Sequence, residues 1–195
     1  MHRRTMTGGI AVAMLSTIVA AAPASAQSPH QAVTVGHDAL STTMARFYDR
    51  QIDLARGWQQ ARSCIVITGA DIRCYRTNIE ADAAVQAFAG GFVPVSRRTS
   101  VLDCADRTLC LYEHISGGGR RLAFGPAQSG AQELSRYRFE NITSSWRNNR
   151  RASTVVMSTG SPSPTQVIAP ANEENIDLGG YSDRAIRVQL DSARS

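Results

Sequence analysis

The four cysteines are the residues whose spacing most narrows the possible chemistry. None of them belongs to a CxxC pair, the spacing typical of a structural zinc site. In an oxidising compartment four cysteines predict two disulfides, for which three pairings are possible. The short separations favour Cys64–Cys74 and Cys104–Cys110, because each pair then lies within one local segment.

The N-terminus predicts that the protein is exported. A positively charged "MHRR" is followed by an apolar run and by "ASA", a small-x-small cleavage site that ends at Ala26. We therefore predict a signal peptide over residues 1–26, cleavage near Ala26–Gln27 and a secreted mature protein. A membrane anchor would need about 20 apolar residues and no cleavage site, and no later run is that long.

Residues suited to catalysis do not form a recognisable pattern. His114, Ser144 and an acidic residue could be imagined as a triad, but no nucleophile-elbow motif accompanies them. The sequence also shows no phosphate-binding loop, metal-ligand helix or paired catalytic acids. We interpret the protein as a non-enzyme that requires no cofactor.

The chain is basic without the pattern of a nucleic-acid-binding protein. Its formal net charge is +5, and all 21 of its basic residues are arginine. Nucleic-acid-binding proteins more usually mix lysine with arginine and interleave aromatic side chains for stacking. Arginine without lysine is instead typical of a GC-rich bacterial genome. We expect neither nucleic acid nor a membrane as a partner, and we predict a monomer.

Two helices and a hairpin are predicted before residue 100. Apolar residues at helical spacing predict one amphipathic helix over 38–62. The run "CIVITGADIRCY" predicts a hairpin whose three-residue loop is centred on Gly69, which places Cys64 opposite Cys74. The run "TNIEADAAVQAFAGG" starts with a capping box from Thr77 to Glu80 and predicts a short helix that ends at Gly90–Gly91.

After a polar segment at 96–100, the periodicity changes to short strand-like runs separated by Gly, Pro, Asn and Ser. This pattern predicts an all-β sandwich. The region also repeats at an offset of 42 residues, which aligns Phe139 with Tyr181 and Trp146 with Val188. A unit of about 40 residues with four short strands has the size of one Greek-key motif. We therefore predict two such units packed face to face.

The stretch "FENITSSW" at 139–146 resembles the βγ-crystallin motif. That motif has an aromatic residue, an Asn/Asp pair, two variable residues and then Ser/Thr-Ser, which here end at Ser144 and Ser145. The upstream run "LYEHISGGGRRLAF" looks like the family's first hairpin, in which Tyr112 precedes Gly119 by seven residues. Gly117 stands where the family usually has a second aromatic residue. The resemblance covers about 101–191 and implies that a serine hydroxyl tethers the folded hairpin.

The crystallin resemblance also implies one possible calcium site. The family's pattern would assign oxygen ligands to Glu140, Asn141 and Ser144, since calcium takes six to eight oxygens. In the second copy Ile186 replaces the hydroxyl residue and Arg187 follows it, so we expect at most one weak Ca²⁺ site. The alternative is a crystallin fold that binds no metal and uses Ser144 and Ser145 only to tether turns.

The chain is further similar to exported actinobacterial proteins with a crystallin-like module, some of which belong to a peptidase-inhibitor group. An inhibitor needs a stiff exposed loop, because pre-organisation lowers the entropic cost of binding. Residues 104–110, "CADRTLC", would form such a loop and display Asp106, Arg107 and Thr108. The alternative is a stapled turn at the start of the domain. The hairpin around Gly117–Gly119 is another candidate edge.

These observations predict an α+β protein whose N-terminal helix/hairpin/helix segment precedes a two-Greek-key crystallin-like sandwich. The expected segments are a signal peptide at 1–26, an α-rich segment with a disulfide hairpin at 27–100 and the sandwich at 101–192. The favoured function is that of a peptidase inhibitor or of another extracellular protein-binding module, with an extracellular protease as the candidate partner. A calcium-binding or purely structural module is the alternative, and a cell-surface hydrolase is the most distant one.

Overall fold

A computed structural model of the 195-residue chain describes residues 42–88, 102–158 and 165–191. Regular structure in these residues consists of twelve strands and one α-helix, with short 3-10 turns at 54–56, 115–117, 134–137 and 179–181. The elements are β1 (Met44–Phe47), β2 (Arg50–Asp53), β3 (Ser63–Val66), β4 (Ile72–Tyr75), α1 (Asn78–Phe88), β5 (Leu109–Tyr112), β6 (Arg121–Phe124), β7 (Gly130–Glu133), β8 (Ser145–Asn148), β9 (Thr154–Ser158), β10 (Thr165–Ala169), β11 (Glu173–Asn175) and β12 (Ala185–Leu190). The predicted signal peptide lies outside the described residues. Within the described ranges, no helix is long and apolar enough to cross a membrane.

Strands β5 to β12 form the predicted two-sheet β-sandwich. One sheet contains the order β11-β8-β5-β6 and the other the order β10-β9-β12-β7. Each run of four consecutive strands therefore sends its third strand, β7 or β11, into the opposite sheet. This exchange ties the two units together, because neither sheet is complete without a strand from the other unit.

The offset of 42 residues between the two units is visible in the backbone hydrogen bonds that join them. The amide of Asn141 donates to the carbonyl of Ala185 at 2.7 Å, and the amide of Asp183 donates to the carbonyl of Thr143 at 2.9 Å. Adding 42 to the residue number in the first unit and subtracting 42 from that in the second unit converts each of these bonds into the other. Asn141 and Asp183 also share a left-handed backbone, with φ of 54° and 57°. The predicted alignment of the repeats therefore matches the geometry at this turn.

The predicted amphipathic helix over 38–62 is wrong where the structure describes it. Residues 44–47 and 50–53 are the antiparallel strands β1 and β2, and a 3-10 turn follows at 54–56. Burial in β1 alternates with a period of two, so that Phe47 is buried while Met44 is 43% exposed. Strand β1 pairs in parallel with β4. The hydrogen bonds and packing of this pairing outweigh the weak preference for a helix that the apolar spacing indicates. Residues 38–41 lie outside the described ranges.

The hairpin and the helix that follow it have the local structure that the sequence predicts. Strands β3 and β4 pair so that Cys64 lies directly opposite Cys74. Helix α1 begins with a capping box, in which the amide of Glu80 donates to the Thr77 hydroxyl at 3.2 Å and the amide of Thr77 donates to the Glu80 carboxylate at 3.1 Å. The predicted stop at Gly90–Gly91 lies outside the described residues.

Strands β1 to β4 extend one sheet of the sandwich. Strand β3 pairs in parallel with β6, from Ser63 opposite Arg121 to Val66 opposite Phe124. The resulting eight-stranded sheet has the order β11-β8-β5-β6-β3-β4-β1-β2. The N-terminal strands thus continue the crystallin-like sheet, while the boundary predicted at 96–100 falls outside the described residues.

Strands β3, β5 and β6, in the middle of the eight-stranded sheet, are buried on both faces. The sheet's inner face packs against the second sheet around side chains such as Phe124, Phe139 and Trp146. Its outer face carries Cys110 and Tyr112 and is covered by helix α1 and by the chain around Leu102. Helix α1 and the chain around Leu102, which leads into the second pair of cysteines, therefore pack on the same face of the sheet.

Candidate functional site

Both predicted disulfides are present. The Cys64–Cys74 bond joins neighbouring strands β3 and β4, and the Cys104–Cys110 bond closes a ring with a sequence separation of 6. We refer to residues 104–110 as the Cys104–Cys110 loop. Two disulfides are compatible with an extracellular location, where such bonds persist.

Asn149 braces the Cys104–Cys110 loop from the end of β8. Its amide donates to the carbonyl of Thr108 at 2.8 Å, and its side-chain nitrogen donates to the carbonyl of Cys104 at 2.8 Å. In return, the amide of Arg107 donates to the carbonyl of Asn149 at 3.1 Å. No local sequence pattern points to Asn149, because its partners are more than 40 residues away. Its side-chain nitrogen also lies 3.3 Å from the carbonyl of Ala105. The loop is therefore held by a covalent bond and by four hydrogen bonds to a single residue.

Two of the three residues predicted at the surface of this loop are exposed. The side chains of Asp106 and Arg107 are 68% and 51% exposed and lie 3.7 Å apart at their charged atoms. Thr108 is fully buried, and its hydroxyl donates to the carbonyl of Ala105 at 2.6 Å. The prediction that Thr108 is displayed is therefore wrong, because this hydroxyl closes the turn from inside.

The backbone of the loop is not shaped like an extended substrate. Arg107 has a left-handed conformation with φ of 56°, whereas a peptide paired along a protease cleft is extended. The loop therefore displays the charges of Asp106 and Arg107 on a backbone that is not extended at Arg107.

Beneath the residues that lead into the loop, Arg121 is fully buried and paired. Its guanidinium contacts the Asp82 carboxylate at 2.9 Å, the Ser63 hydroxyl at 2.9 Å and the carbonyl of Asp103 at 2.8 Å. The hydroxyl of Tyr112 donates to the same carbonyl of Asp103. Burial raises the pKa of Tyr112 well above its ordinary value, so this hydroxyl stays protonated as a donor. The sequence alone gave no sign of this cluster.

The folded hairpin between β5 and β6 has the serine tether that the crystallin resemblance implies. The Ser145 hydroxyl donates to the carbonyl of His114 at 2.6 Å and accepts from the amide of Gly117 at 3.2 Å. Gly117 has φ of 74°, and an added Cβ would lie 2.9 Å from a methyl carbon of Leu102. Leu102 therefore leaves no room for the aromatic residue that the family usually has at this position.

An ion pair closes the same hairpin. Arg120 donates to both carboxylate oxygens of Glu113, at 3.0 Å and 3.1 Å. These hydrogen bonds from Arg120 lower the pKa of Glu113 below its ordinary value. Gly119, with φ of 72°, sits so close to Glu113 that a Cβ would lie 2.8 Å from the glutamate Cβ.

The residues predicted to bind calcium lie at the turn between the two units. Glu140 and Asn141 are exposed, whereas Ser144 is buried and its hydroxyl donates to the Asp183 carboxylate at 2.9 Å. Asp183, from the second unit, is a neighbour that the motif at 139–145 does not predict. Across the described ranges, no group of three or more His, Cys, Asp or Glu side chains is arranged to hold a metal ion.

The segment that contains the loop, the hairpin and the first motif is similar to a known protein family. Residues 97–159 match the model of peptidase inhibitor family I36. The resemblance to this inhibitor group is confirmed over that segment, which is about a third of the chain. An actinobacterial origin stays a prediction. No curated protein matches the sequence significantly.

Several solved structures of βγ-crystallin domains are also similar. A structure concerning the evolution of the eye lens beta-gamma-crystallin domain fold is 12% identical, with 47% of this chain and 91% of that chain covered and a TM-score of 0.40. A domain from Clostridium beijerinckii is 17% identical, with 44% and 98% covered and a TM-score of 0.35. A domain from Flavobacterium johnsoniae is 15% identical, with 46% and 99% covered and a TM-score of 0.36.

Proposed function

We propose that this protein is a secreted, non-enzymatic inhibitor of an extracellular peptidase and that the Cys104–Cys110 loop contacts the enzyme. The observation that carries the proposal is the match of residues 97–159 to an inhibitor family, since the loop lies inside that segment. A hydrolase function has no comparable support.

The construction of the loop suits this role. The disulfide and Asn149 hold its backbone before binding, so little conformational entropy is lost when an enzyme contacts it. The Arg107 guanidinium can donate two parallel hydrogen bonds to a carboxylate, and arginine is enriched at binding hot spots. The left-handed backbone at Arg107 keeps the neighbouring peptide bonds out of the extended form that a cleft binds.

The proposal is tested by titrating secreted metallo- and serine peptidases with the mature protein. We expect inhibition of at least one enzyme at a near-stoichiometric ratio. Arg107→Ala should weaken that inhibition by about 30-fold, since a hot-spot side chain contributes about 2 kcal/mol. Slow digestion of the protein by every enzyme, without inhibition, would contradict the proposal.

A matched variant separates the loop from the folded hairpin. Ile115 is 55% exposed at the hairpin tip, and Ile115→Ala changes an exposed side chain outside the loop. If the loop makes the contact, Ile115→Ala leaves inhibition unchanged while Arg107→Ala weakens it. The reverse result would move the contact surface to the hairpin.

A second candidate function is the binding of one weak calcium ion at the turn between the units. The observation that favours it is the Ser144 hydroxyl 2.9 Å from the Asp183 carboxylate, two oxygen groups of the kind that calcium takes. With a Kd of about 10⁻⁴–10⁻³ M, millimolar calcium should raise the melting temperature only slightly. Ser144→Ala or Asn141→Ala should abolish the shift, and Glu140→Asp should enlarge it. Two sites in calorimetry, or one site of micromolar affinity, would contradict this assignment.

A further inference from the structure

Arg121, in strand β6, connects helix α1 and strand β3 with Asp103, the residue that leads into the Cys104–Cys110 loop. Besides its contacts with Asp82, Ser63 and Asp103, its guanidinium donates to the carbonyl of Asn78 at 3.0 Å. Asn78 and Asp82 belong to helix α1, and Ser63 belongs to strand β3. One buried side chain therefore holds the N-terminal helix, the shared sheet and the start of the loop in a single arrangement.

The planar guanidinium suits this task, because its donors point in fixed directions. Four partners at separate positions can be satisfied only by a fork of this kind, whereas a lysine ammonium is a compact charge with three rotatable donors. The ion pair with Asp82 is almost completely buried, with side chains 0% and 6% exposed. A buried ion pair does not by itself show that a fold is stabilised. The positions of the four partners therefore indicate the role of Arg121 better than the energy of its ion pair does.

The contact with Asp103 reaches the loop through one peptide unit. Asp103 immediately precedes Cys104, and its carbonyl accepts from both Arg121 and Tyr112. After Cys104, the disulfide and the hydrogen bonds of Asn149 fix the rest of the loop. This includes Arg107, whose amide donates to the carbonyl of Asn149. The other end of the loop continues directly into β5, which is fixed between β6 and β8.

We propose that Arg121, with Tyr112, is a positioning residue for the contact loop and that the N-terminal helix acts as its buttress. The loop's orientation toward a peptidase thus depends on residues more than 20 positions before it in the chain. This inference rests on the proposed function for its effect on inhibition, but not for its effect on the loop's own structure.

The test compares two buried tyrosine hydroxyls. Tyr112→Phe removes the donor to Asp103, and the matched control Tyr137→Phe removes a buried hydroxyl that donates to Gln132 at 2.9 Å on the other face of the sheet. Each loses one hydroxyl from a fully buried side chain. Inhibition constants and amide exchange at Arg107 and Asn149 are measured well below both melting temperatures.

We expect Tyr112→Phe to raise the inhibition constant by about tenfold, because a less ordered loop loses part of its pre-organisation, and to accelerate exchange at both amides. The control should change neither reading. Arg121→Lys should have a larger effect in the same direction. Equal effects of Tyr112→Phe and Tyr137→Phe would reduce the cluster to general stability and overturn the proposal.

Amide exchange keeps the two proposals distinguishable. If Arg107→Ala leaves inhibition unchanged, the loop is not the contact surface, yet faster exchange in Tyr112→Phe would still support its positioning by the cluster. If exchange at Arg107 and Asn149 is unaffected in both Tyr112→Phe and Arg121→Lys, the positioning proposal fails whatever the inhibition shows. Should Arg121→Lys not fold, Tyr112→Phe alone decides.

Discussion

At the scale of single residues, Ser145 shows how a short motif is used for architecture. Its hydroxyl is fully buried and satisfies one carbonyl and one amide of the folded hairpin, those of His114 and Gly117. Without this hydroxyl, a partly buried donor and an acceptor lose their partner, and leaving such groups unsatisfied costs more than the net contribution of a hydrogen bond. The second serine of the motif is therefore a structural residue.

We predict that Ser145→Ala lowers the free energy of unfolding by about 1–3 kcal/mol, measured by denaturant titration. The matched control is Ser135→Ala, an exposed serine in a 3-10 turn, which should change that free energy by no more than about 0.5 kcal/mol. Equal effects of the two variants would contradict the tether.

At the scale of elements, the folded hairpin between β5 and β6 depends on the Glu113–Arg120 pair. The side chains are only 24% and 27% exposed, so solvent screens the pair less than a fully exposed ion pair. The pKa of Glu113 is lowered in the folded state by its hydrogen bonds from Arg120. The pair therefore stabilises the fold above the ordinary carboxyl pKa of about 4.3, and this contribution is lost as pH falls through the lower folded-state value.

We predict that Glu113→Gln lowers the melting temperature at neutral pH by about 3–6 °C and flattens its decline between pH 5 and pH 3. Arg120→Met should flatten the decline in the same way, because it removes the partner that lowers the pKa. The double variant should add little to either single one. An unchanged decline in Glu113→Gln would show that the pair does not contribute to the acid sensitivity.

At the scale of the whole molecule, the N-terminal strands and the sandwich share a sheet and a core. Strand β3 pairs with β6, and Trp58 donates its indole N–H to the carbonyl of Tyr137 at 2.7 Å while its ring lies 5.5 Å from that of Phe139. Separating the two parts would expose a sheet edge and a buried aromatic side chain. We therefore expect residues 42–191 to unfold as one cooperative unit.

The chain has two tryptophans, and they report on different parts of this unit. In Trp146→Phe the fluorescence reports Trp58 beside the N-terminal strands, and in Trp58→Phe it reports Trp146 in the sandwich. We predict that, within each variant, the fluorescence and far-UV circular dichroism transitions coincide in denaturant. A transition of Trp58 at lower denaturant than the loss of secondary structure would instead identify the N-terminal strands as a separate unit.

The sequence by itself determined the features whose partners lie close along the chain. The capping box of Thr77 and Glu80, the hairpin that pairs Cys64 with Cys74 and the Cys104–Cys110 bond all join residues at most ten positions apart. The crystallin-like motif at 139–145 was also readable, because its serines recur in a fixed order. Local geometry limits such pairings to a few alternatives.

Tertiary structure alone decided the features that depend on distant partners. The apolar spacing over 38–62 suited a helix, yet pairing with β4 made residues 44–47 a strand. Thr108 became buried and Arg121 acquired partners from Ser63 to Asp103 only once the sheet and the helix were assembled. A single sequence records which groups need hydrogen bonds and burial, but the choice among distant partners is made by packing, where all of these needs are met together.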